Sequence, residues 1–454
     1  MELEKKFVEY VVGAQFEDIP RQPISMIKDV ILNAFGAIIS GATVQGCPEA
    51  VKQCKEWGGK KEATILVHGG QIPAHNAAFA NSFMARAVGV DEAMVPGLHT
   101  GGSSVPTGLA VAELVGGCSG KDFLAALTVG TEISARLNSS TNYNGFDPTG
   151  VCAIFASTAI AGRILGLSVE QMWNALGHAF NRSGGSFQGT IDGSIAARVL
   201  QATASQGGII SAQLAKRGIT GPRNFLEGVY GYFHLYAGDQ YDPEAIVGEL
   251  GGRFELSKTF MKKYPSCGTT NPSLDAIFDL MEEKGITPEE LEEIRVTVTP
   301  STYNLTGKPF EYGDNPRISA MYSIQYCVAN ALLRKSCKLR HFDEPMVREP
   351  EIMEIIKKIH VKPDPALDKR NQLATEMEVR MRDGTVYQKS VDFARGMPER
   401  PLIKEELMDK FHDCVSFGGK PLPKSNIKRI MSLVDGLEKT KDVRSLIPLL
   451  ISKI

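Results

Sequence analysis

Residues 287–298 read Thr-Pro-Glu-Glu-Leu-Glu-Glu-Ile-Arg-Val-Thr-Val, and the character of the chain changes at this stretch. Thr287-Pro-Glu-Glu290 predicts the start of a helix with proline at its first position. Ile294, Val296 and Val298 then alternate with polar residues, which is typical of a half-buried strand. Strand and helix signals this close together indicate a mixed α+β unit.

Further strands are predicted downstream of this stretch. Ile359-His-Val361 is strand-like, and residues 377–387 predict a hairpin that turns at Asp383-Gly384. From about Lys404 the apolar spacing becomes helical again. The α+β unit is therefore predicted to end near residue 403.

The first 260 residues are predicted to be almost entirely helical. Leu3, Phe7 and Val11 recur at helical spacing, and Ser168-Val-Glu-Gln171 has the form of a capping box. Alanine and glycine are frequent inside the predicted helices, which favours close helix packing. Pro106 to Val115 is one such helix, after a loop that is rich in glycine and proline.

The length of 454 residues exceeds what a single core usually supports, so two domains are expected. We predict a mainly α protein with an α+β second domain. Residues 1–263 and 404–454 would form a large helical domain from both termini, and residues 264–403 a smaller inserted domain. Any active site is expected where the two domains meet.

Composition excludes several classes of function. The net charge of −2 argues against a nucleic-acid partner, since such proteins usually carry a basic excess. No run of 18 apolar residues occurs, so no membrane span is expected. The N-terminus lacks the apolar core of a signal peptide, and a cytoplasmic location is expected.

The cofactor-binding motifs that a sequence can carry are absent. The eight cysteines are scattered without a C-x-x-C pair, and the histidines show no metal-ligand spacing. Neither G-x-G-x-x-G after a strand nor the phosphate-binding G-x-x-x-x-G-K-[ST] occurs. We therefore expect no metal and no nucleotide cofactor.

Three segments contain residues that suggest chemistry. Residues 89–106 form a loop with Asp91, Glu92 and His99, and titratable loop residues are often functional. The alternative is that His99 caps a helix or lies in the core. Residues 181–198 combine glycines with polar groups and Arg198, which would suit a carboxylate pocket; a tight turn between packed helices is the alternative.

The third segment, residues 260–271, combines lysine, tyrosine, serine, cysteine, threonine and asparagine near a predicted domain junction. Lys262 would neutralise a substrate carboxylate or act as an acid or base once desolvated. The alternative is that Lys262 and Lys263 are solvated linker charges. Cys267 is expected to be a buried structural thiol, because no histidine lies near it in the sequence.

These segments, in this order, resemble the MmgE/PrpD family, which includes 2-methylcitrate dehydratase, cis-aconitate decarboxylase and iminodisuccinate epimerase. The most specific match is Lys262-Lys-Tyr-Pro-Ser-Cys267, which is close to the family pattern K-P-Y-P-[SA]-C. Other matching stretches lie at residues 16–20, 34–41, 77–81, 217–222, 226–228, 274–276, 323–329 and 410–411.

The resemblance implies that the α+β domain is a lid, that the protein is a homodimer and that the cleft site needs neither metal nor organic cofactor. Family chemistry is proton transfer next to the carboxylates of small organic acids. By position, His99 corresponds to the active-site histidine and Lys262 to the active-site lysine. Asp91 and Glu92 correspond to paired acidic positions. Ser266 and Cys267 belong to the same substrate-binding segment as Lys262.

The sequence also departs from the family where the family carries charged or proton-transferring groups. Asp147 and Asn271 stand at histidine positions, Gly89 at an aspartate position, and Ala197 and Leu200 leave only Arg198 of a basic segment. A tricarboxylate would be poorly neutralised there, because unpaired buried carboxylates are costly. We therefore expect a substrate with fewer carboxylates than methylcitrate, or one whose amine pairs with Asp147 or Asp91.

Four functions remain open on the sequence. The leading hypothesis is a carbon–oxygen lyase, in which His99 is the general base or acid and Lys262 the carboxylate partner. An epimerase would use the same deprotonation and return the proton to the other face. A decarboxylase comes third, because it needs more positive charge, and a catalytically inactive binding protein comes fourth.

Overall fold

The computed structural model describes residues 2–452 of the chain. It divides into two compact units. The first, the helical unit, comprises Met1–Thr190, Ile195–Phe260 and Cys414–Ile454; the second, the mixed unit, comprises Ile191–Ser194 and Met261–Asp413. Most of the secondary structure is helical, and one small mixed sheet accompanies it.

Long helices dominate the N-terminal part of the chain, with one short antiparallel hairpin between them. They are α1 (Glu2–Gly13), α2 (Arg21–Gly41), α3 (Cys47–Trp57), β1 (Ala63–Thr64), β2 (Gln71–Ile72), α4 (Ala74–Ala85), α5 (Gly101–Leu114), α6 (Gly120–Ser139), α7 (Pro148–Ile164), α8 (Val169–Phe180), α9 (Gln188–Ile191), α10 (Ala196–Lys216), α11 (Tyr232–Ala237) and α12 (Pro243–Val247).

Small residues let these helices approach closely, as the sequence predicts. A Cβ atom added to Gly208 of α10 would lie 2.5 Å from Cβ of Ser157 in α7. One added to Gly108 of α5 would lie 2.8 Å from the Phe123 ring of α6. Both distances are shorter than real Cβ contacts, so glycine is required at these crossings. The predicted capping box is also confirmed: Gln171 N donates to Ser168 Oγ, and Ser168 N to Gln171 Oε1.

A fully buried ion pair on α6 holds the segment that follows α12. Arg136 Nε donates to Glu132 at 2.6 Å, and neither side chain is exposed. The guanidinium also donates to the carbonyls of Ile246 and Gly248, while Glu132 accepts the backbone N–H of Leu256. Since every charged atom finds partners, the pair ties residues 246–256 to α6.

The mixed unit and the C-terminal part contain shorter helices and the sheet. They are α13 (Asn271–Lys284), β3 (Leu291–Val298), α14 (Pro300–Thr302), α15 (Pro316–Met321), α16 (Ile324–Arg334), α17 (Glu344–Val347), α18 (Pro350–Ile356), β4 (Ile359–Pro363), β5 (Thr375–Met381), β6 (Val386–Val391), α19 (Lys404–Phe417) and α20 (Lys424–Asp435).

The sheet has the strand order β4-β3-β5-β6. β3 runs parallel to β4 and antiparallel to β5, and β5 and β6 form the predicted hairpin. Ile294, Val296 and Val298 are fully buried in a core that includes α13 and α16, whereas Arg295 is exposed. The alternation that predicts strand β3 is therefore confirmed.

The helix start predicted at Thr287 is wrong. Residues 288–290 form a turn, and β3 begins directly at Leu291. The register against β5 shifts between Leu291 and Glu293, so one extra residue is absorbed there. This bulge turns both Leu291 and Ile294 inward, although a regular strand would place residues three apart on opposite faces.

Helix α2 is long and apolar enough to cross a membrane by length and composition alone. Its most apolar window is 72% buried inside the protein, as is usual for a core helix, and it lies near the N-terminus. The helix is therefore weak evidence for a membrane span.

Arg136→Met should lower the free energy of unfolding by about 3–5 kcal/mol, because it leaves the Glu132 carboxylate buried without its partner. The measurement is urea denaturation followed by far-UV circular dichroism. Lys52→Met is the matched control, since Lys52 and Glu56 form an i, i+4 pair of largely exposed side chains. That substitution should leave the midpoint unchanged, and equal losses in both variants would contradict the role assigned to the buried pair.

Candidate active site

His99 lies in the loop between α4 and α5 of the helical unit, and its ring has a defined orientation. Nδ1 is 2.6 Å from the main-chain oxygen of Glu92 and 3.0 Å from Oδ2 of Asp91. A carbonyl oxygen only accepts hydrogen bonds, so Nδ1 of the neutral ring carries the proton. The lone pair then resides on Nε2, which is the nitrogen that acts as a base.

The carboxylate of Asp91 is shared between two positive or potentially positive groups. Oδ2 forms an ion pair with Arg86, which follows α4 directly, in addition to its contact with His99. Asp91 is only 1% exposed, so its charge is stabilised by these neighbours rather than by water. The arrangement allows Asp91 to orient His99 and to stabilise an imidazolium when Nε2 takes up a proton.

Glu92, the second predicted acid, caps helix α5. Its Oε1 accepts the backbone N–H of Gly101 at 2.5 Å, and its Oε2 accepts from Nδ2 of Asn33 in α2 at 3.2 Å. A carboxylate at the first turn of a helix also interacts favourably with the helix dipole. The structure thus gives Glu92 a clear role in holding the loop; its predicted contact with substrate stays a prediction.

Helix α5 begins at Gly101, five residues before the predicted Pro106, so His99 lies just outside its N-terminus. The loop is attached to the rest of the helical unit at two further points. Ala93 and Phe260 exchange two main-chain hydrogen bonds of 3.0 and 2.7 Å. The backbone N–H of His99 donates to Thr149 Oγ1 at 3.1 Å.

Asp147 and Arg198, both predicted to bind substrate, have partners within the helical unit. Asp147 caps α7, because Oδ1 accepts the backbone N–H groups of Thr149 and Gly150 at 2.8 and 3.3 Å. Arg198 donates to the main-chain oxygens of Gln45 and Ala87. Burial lowers the pKa of its guanidinium from the usual value. Their roles toward a substrate stay predictions.

In the mixed unit, the segment from Lys262 to Cys267 is held by its own neighbours. Lys262 is buried, and its main-chain oxygen accepts from Lys410 Nζ at 2.8 Å. Tyr264 OH donates to Asp275 at 3.0 Å, and burial raises the pKa of that carboxyl group. These contacts fix the backbone around Lys262 and join two stretches, 262–267 and 410–411, on which the family resemblance rests.

Asn271 and Ser266 are fully buried, and both form hydrogen bonds within residues 264–271. Asn271 Oδ1 accepts from Tyr264 N at 3.2 Å, and its Nδ2 donates to the Cys267 oxygen at 3.1 Å. Ser266 Oγ lies 2.7 Å from Thr270 Oγ1. Asn271 therefore closes the turn, and its predicted contact with substrate, like that of Ser266, stays a prediction.

Cys267 is partly exposed, in contrast with the expected buried thiol. Its Sγ lies 3.2 Å from Thr269 Oγ1, which in turn lies 2.9 Å from Thr306 Oγ1. Thr306 belongs to a π-helical turn, Tyr303–Gly307, that follows α14. Such turns occur often at functional sites, and nothing in the sequence indicated this one.

Three side chains that support the acidic loop were not predicted from the sequence: Arg86, Asn33 and Thr149. Arg86 offered the clearest signal, since a basic residue five positions before Asp91 suits an ion pair across a turn. Asn33 and Thr149 lie 59 and 50 positions from their partners Glu92 and His99, so no local pattern relates them. Within residues 2–452, no group of three or more His, Cys, Asp or Glu side chains is arranged to bind a metal ion.

Comparison with known proteins places this architecture in a family. The model of the MmgE/PrpD N-terminal domain matches residues 5–244, and that of the MmgE/PrpD C-terminal domain matches residues 264–435. The chain belongs to the MmgE/PrpD family, and the resemblance drawn from its motifs is confirmed.

Similar proteins include cis-aconitate decarboxylases from animals and fungi. The human protein is 24% identical, over 98% of this chain and 94% of its own length. The protein from Aspergillus terreus is 25% identical, over 96% of this chain and 93% of its own length. The Mus musculus protein is 24% identical, over 98% of this chain and 93% of its own length. The similarity therefore runs end to end in both directions.

Gly101→Ala should displace the Glu92 carboxylate from the start of α5. The added Cβ atom would lie 2.8 Å from Glu92 Oε1 and 2.5 Å from Val30 Cγ1. We expect a loss of about 1–3 kcal/mol in the free energy of unfolding, measured by urea denaturation. Gly13→Ala is the control, because no atom lies within 4 Å of its added Cβ. Equal behaviour of the two variants would contradict the close packing described for Gly101.

Proposed function

We propose that the protein is a lyase that acts on a small organic acid by removing a proton next to a carboxylate, without a cofactor. The observation that carries this proposal is the orientation of His99. With Nδ1 held by Asp91 and the Glu92 oxygen, Nε2 is the basic nitrogen. Histidine is suited to the task because its usual pKa lies near neutral pH.

In the leading form of the proposal, the reaction is a dehydration. His99 Nε2 takes the proton from the carbon next to the carboxylate, and the electron pair of that C–H bond becomes the C=C bond. The C–O bond to the hydroxyl group breaks, and the departing oxygen receives a proton from the imidazolium to leave as water. Asp91 stabilises the imidazolium between these two steps.

Lys262 is the proposed partner of the substrate carboxylate. Its positive charge would stabilise the negative charge that spreads onto the carboxylate when the proton leaves. Lys262 is two residues along the chain from Phe260, which pairs with Ala93 in the His99 loop.

The domain arrangement implied by the family resemblance is part of the proposal. Residues 264–403 would act as a lid on a helical domain formed by 1–263 and 404–454, and the substrate would bind where the two meet. The same resemblance implies a homodimer.

The charges around His99 support a substrate with fewer carboxylates than methylcitrate. Asp91 balances the charge of Arg86, and the N–H groups of Arg198 that donate to main-chain oxygens are not available to a substrate carboxylate. An amine on the substrate is less favoured, because Asp91 and Asp147 already have partners in the protein. We therefore propose a hydroxy acid with one or two carboxylates.

Decarboxylation is the second candidate, and the names of the similar proteins favour it. In that reaction the C–C bond to a carboxylate would break, CO₂ would leave, and the His99 imidazolium would protonate the resulting carbanion. Epimerisation would need only the first proton transfer and its reversal on the opposite face. The lyase and the epimerase share the base and differ in what happens to the carbanion, whereas in decarboxylation the carbanion forms by loss of CO₂ and His99 acts as the acid.

The purified protein should be incubated in D₂O with a panel of mono-, di- and tricarboxylic acids, including cis-aconitate and 2-methylcitrate. Alkene formation with release of water indicates the lyase, release of CO₂ the decarboxylase, and deuterium uptake without either an epimerase. Efficient turnover of cis-aconitate or 2-methylcitrate would overturn the proposed limit on carboxylates. Tight binding without any exchange would indicate an inactive binding protein.

His99→Asn should reduce turnover by about 10²–10⁴-fold, because it removes the base. Lys262→Met should reduce kcat/KM by about 10²–10³-fold through loss of carboxylate stabilisation. His412→Asn, at an exposed position of α19, and Lys263→Met, whose lysine pairs with Glu406, are the controls. Wild-type turnover in both site variants would show that the assignment is wrong.

The homodimer is tested by light scattering coupled to size-exclusion chromatography. The expected mass is twice the 49.3 kDa of the chain. The mass should stay constant over a hundredfold dilution from micromolar protein, as for an obligate dimer. A mass of one chain at all concentrations would contradict the proposal.

A further inference from the structure

A buried side chain in the last turn of helix α6 forms a hydrogen bond with the His99 loop. Asn138 is 2% exposed, and its Nδ2 donates to the main-chain oxygen of Val95 at 2.8 Å. Val95 lies between Asp91 and His99 in the sequence. The hydrogen bond therefore holds the loop midway between the carboxylate and the imidazole that it orients.

The amide of Asn138 is itself fixed in orientation by Tyr143. Because the Val95 oxygen only accepts, the NH₂ group of Asn138 must face Val95 and its Oδ1 must face the other way. Tyr143 OH lies 3.0 Å from Oδ1, so the tyrosine donates this hydrogen bond. The direction of one bond thus determines the direction of the next.

The next hydrogen bond involves the buried thiol of Cys152, and its donor can be assigned in the same way. Since the Tyr143 proton is used for Asn138, the contact of 3.0 Å between Tyr143 OH and Cys152 Sγ requires the thiol to donate. Cys152 Sγ also lies 3.0 Å from Tyr232 OH. Thr141 donates its hydroxyl proton to the Leu137 oxygen and therefore accepts from Tyr232 OH, which lies 2.8 Å away.

Burial keeps these groups protonated at neutral pH. It raises the pKa of Cys152 to about 11 and raises the pKa values of Tyr143 and Tyr232 well above the usual range. Each group therefore remains a donor. The donors Cys152, Tyr143 and Asn138 therefore all point toward Val95 in the loop, whereas Tyr232 donates to Thr141.

The same helix also holds the loop at its other attachment. Glu132 and Arg136 of α6 bind residues 246–256, and that segment leads to Phe260, which pairs with Ala93. Ala93 and Val95 are thus both positioned by α6, one through the following segment and one directly. Of these two contacts made by α6, the one through Asn138 acts on the half of the loop that leads to His99, which Thr149 also holds through the His99 N–H.

We propose that Asn138 is a positioning residue for His99, and that Tyr143 and Cys152 act through it. By holding Val95, the amide keeps the Val95–His99 turn where His99 Nδ1 reaches both Asp91 and the Glu92 oxygen. Its importance for turnover rests on the proposed function of His99. Its effect on the ring orientation does not, and can be measured without a substrate.

The test uses the full-length protein with ¹⁵N-labelled histidine. Long-range ¹H–¹⁵N spectra distinguish the Nδ1–H from the Nε2–H form of a neutral ring, and the signal missing in His99→Gln assigns His99 among the eight histidines. Wild type should show the Nδ1–H form. Asn138→Ala should produce a mixture of the two forms, and Tyr143→Phe a smaller change in the same direction, because the bond to Val95 survives.

Thr128→Val is the matched control, since Thr128 lies in the same helix, is fully buried and donates only to Leu124 within the helix. It should leave the His99 signals unchanged even if it lowers the thermal stability. Unchanged Nδ1–H signals in both Asn138→Ala and Tyr143→Phe would overturn the proposal. If Asn138→Ala does not fold, the Tyr143→Phe spectrum decides by itself.

Where a substrate from the panel is turned over, Asn138→Ala should lower kcat by up to about a hundredfold at nearly unchanged KM, since a misplaced base slows the chemical step. A rise in KM alone would contradict the positioning role. If His99→Asn keeps full turnover while the ring still reorients in Asn138→Ala, the proposed function fails and the structural inference stands.

Discussion

Two buried carboxylates in one loop impose the main constraint on the helical unit. Asp91 and Glu92 are each 1% exposed, and a buried charge is costly unless hydrogen bonds and opposite charges surround it. Asp91 interacts with Arg86 and His99. Glu92 accepts hydrogen bonds from the first N–H of α5 and from the side-chain amide of Asn33. These requirements determine where α4 ends, where α5 begins and how His99 is turned.

The close helix packing follows from the same constraint. Gly101 is needed because any side chain there would collide with the Glu92 carboxylate that caps its own N–H. Helix α6 carries Asn138, which binds the loop at Val95, and the Glu132–Arg136 pair, which binds residues 246–256. The stability of the helical unit and the proposed function therefore depend on the same contacts. In the mixed unit, the buried carboxylate of Asp275 holds the segment around Lys262 by accepting a hydrogen bond from Tyr264 OH.

Family membership alone does not identify the reaction, since one fold can support several reactions. The similar proteins are 24–25% identical cis-aconitate decarboxylases. This chain keeps the histidine and the lysine that the family resemblance makes catalytic. In this chain Arg86 forms an ion pair with Asp91. Asp147 and Asn271 form hydrogen bonds with main-chain groups of Thr149 and Cys267. We therefore propose that the choice of substrate depends on the charges near the proposed base and not on the base itself.

The helical majority, the capping box at Ser168, the hairpin at Asp383-Gly384, the burial of Ile294 and Val296, and the family were all predictable from the sequence. Each of these depends on residues a few positions apart, where spacing and turn chemistry are sufficient. The start of α5 at Gly101, the bulge in place of the helix predicted at Thr287, and the contacts of Arg86, Asn138 and Thr149 with the loop that carries His99 became visible in the folded structure alone. Those outcomes depend on which distant backbone and side-chain groups meet in the core, because a buried polar group must find its partner wherever the fold places one.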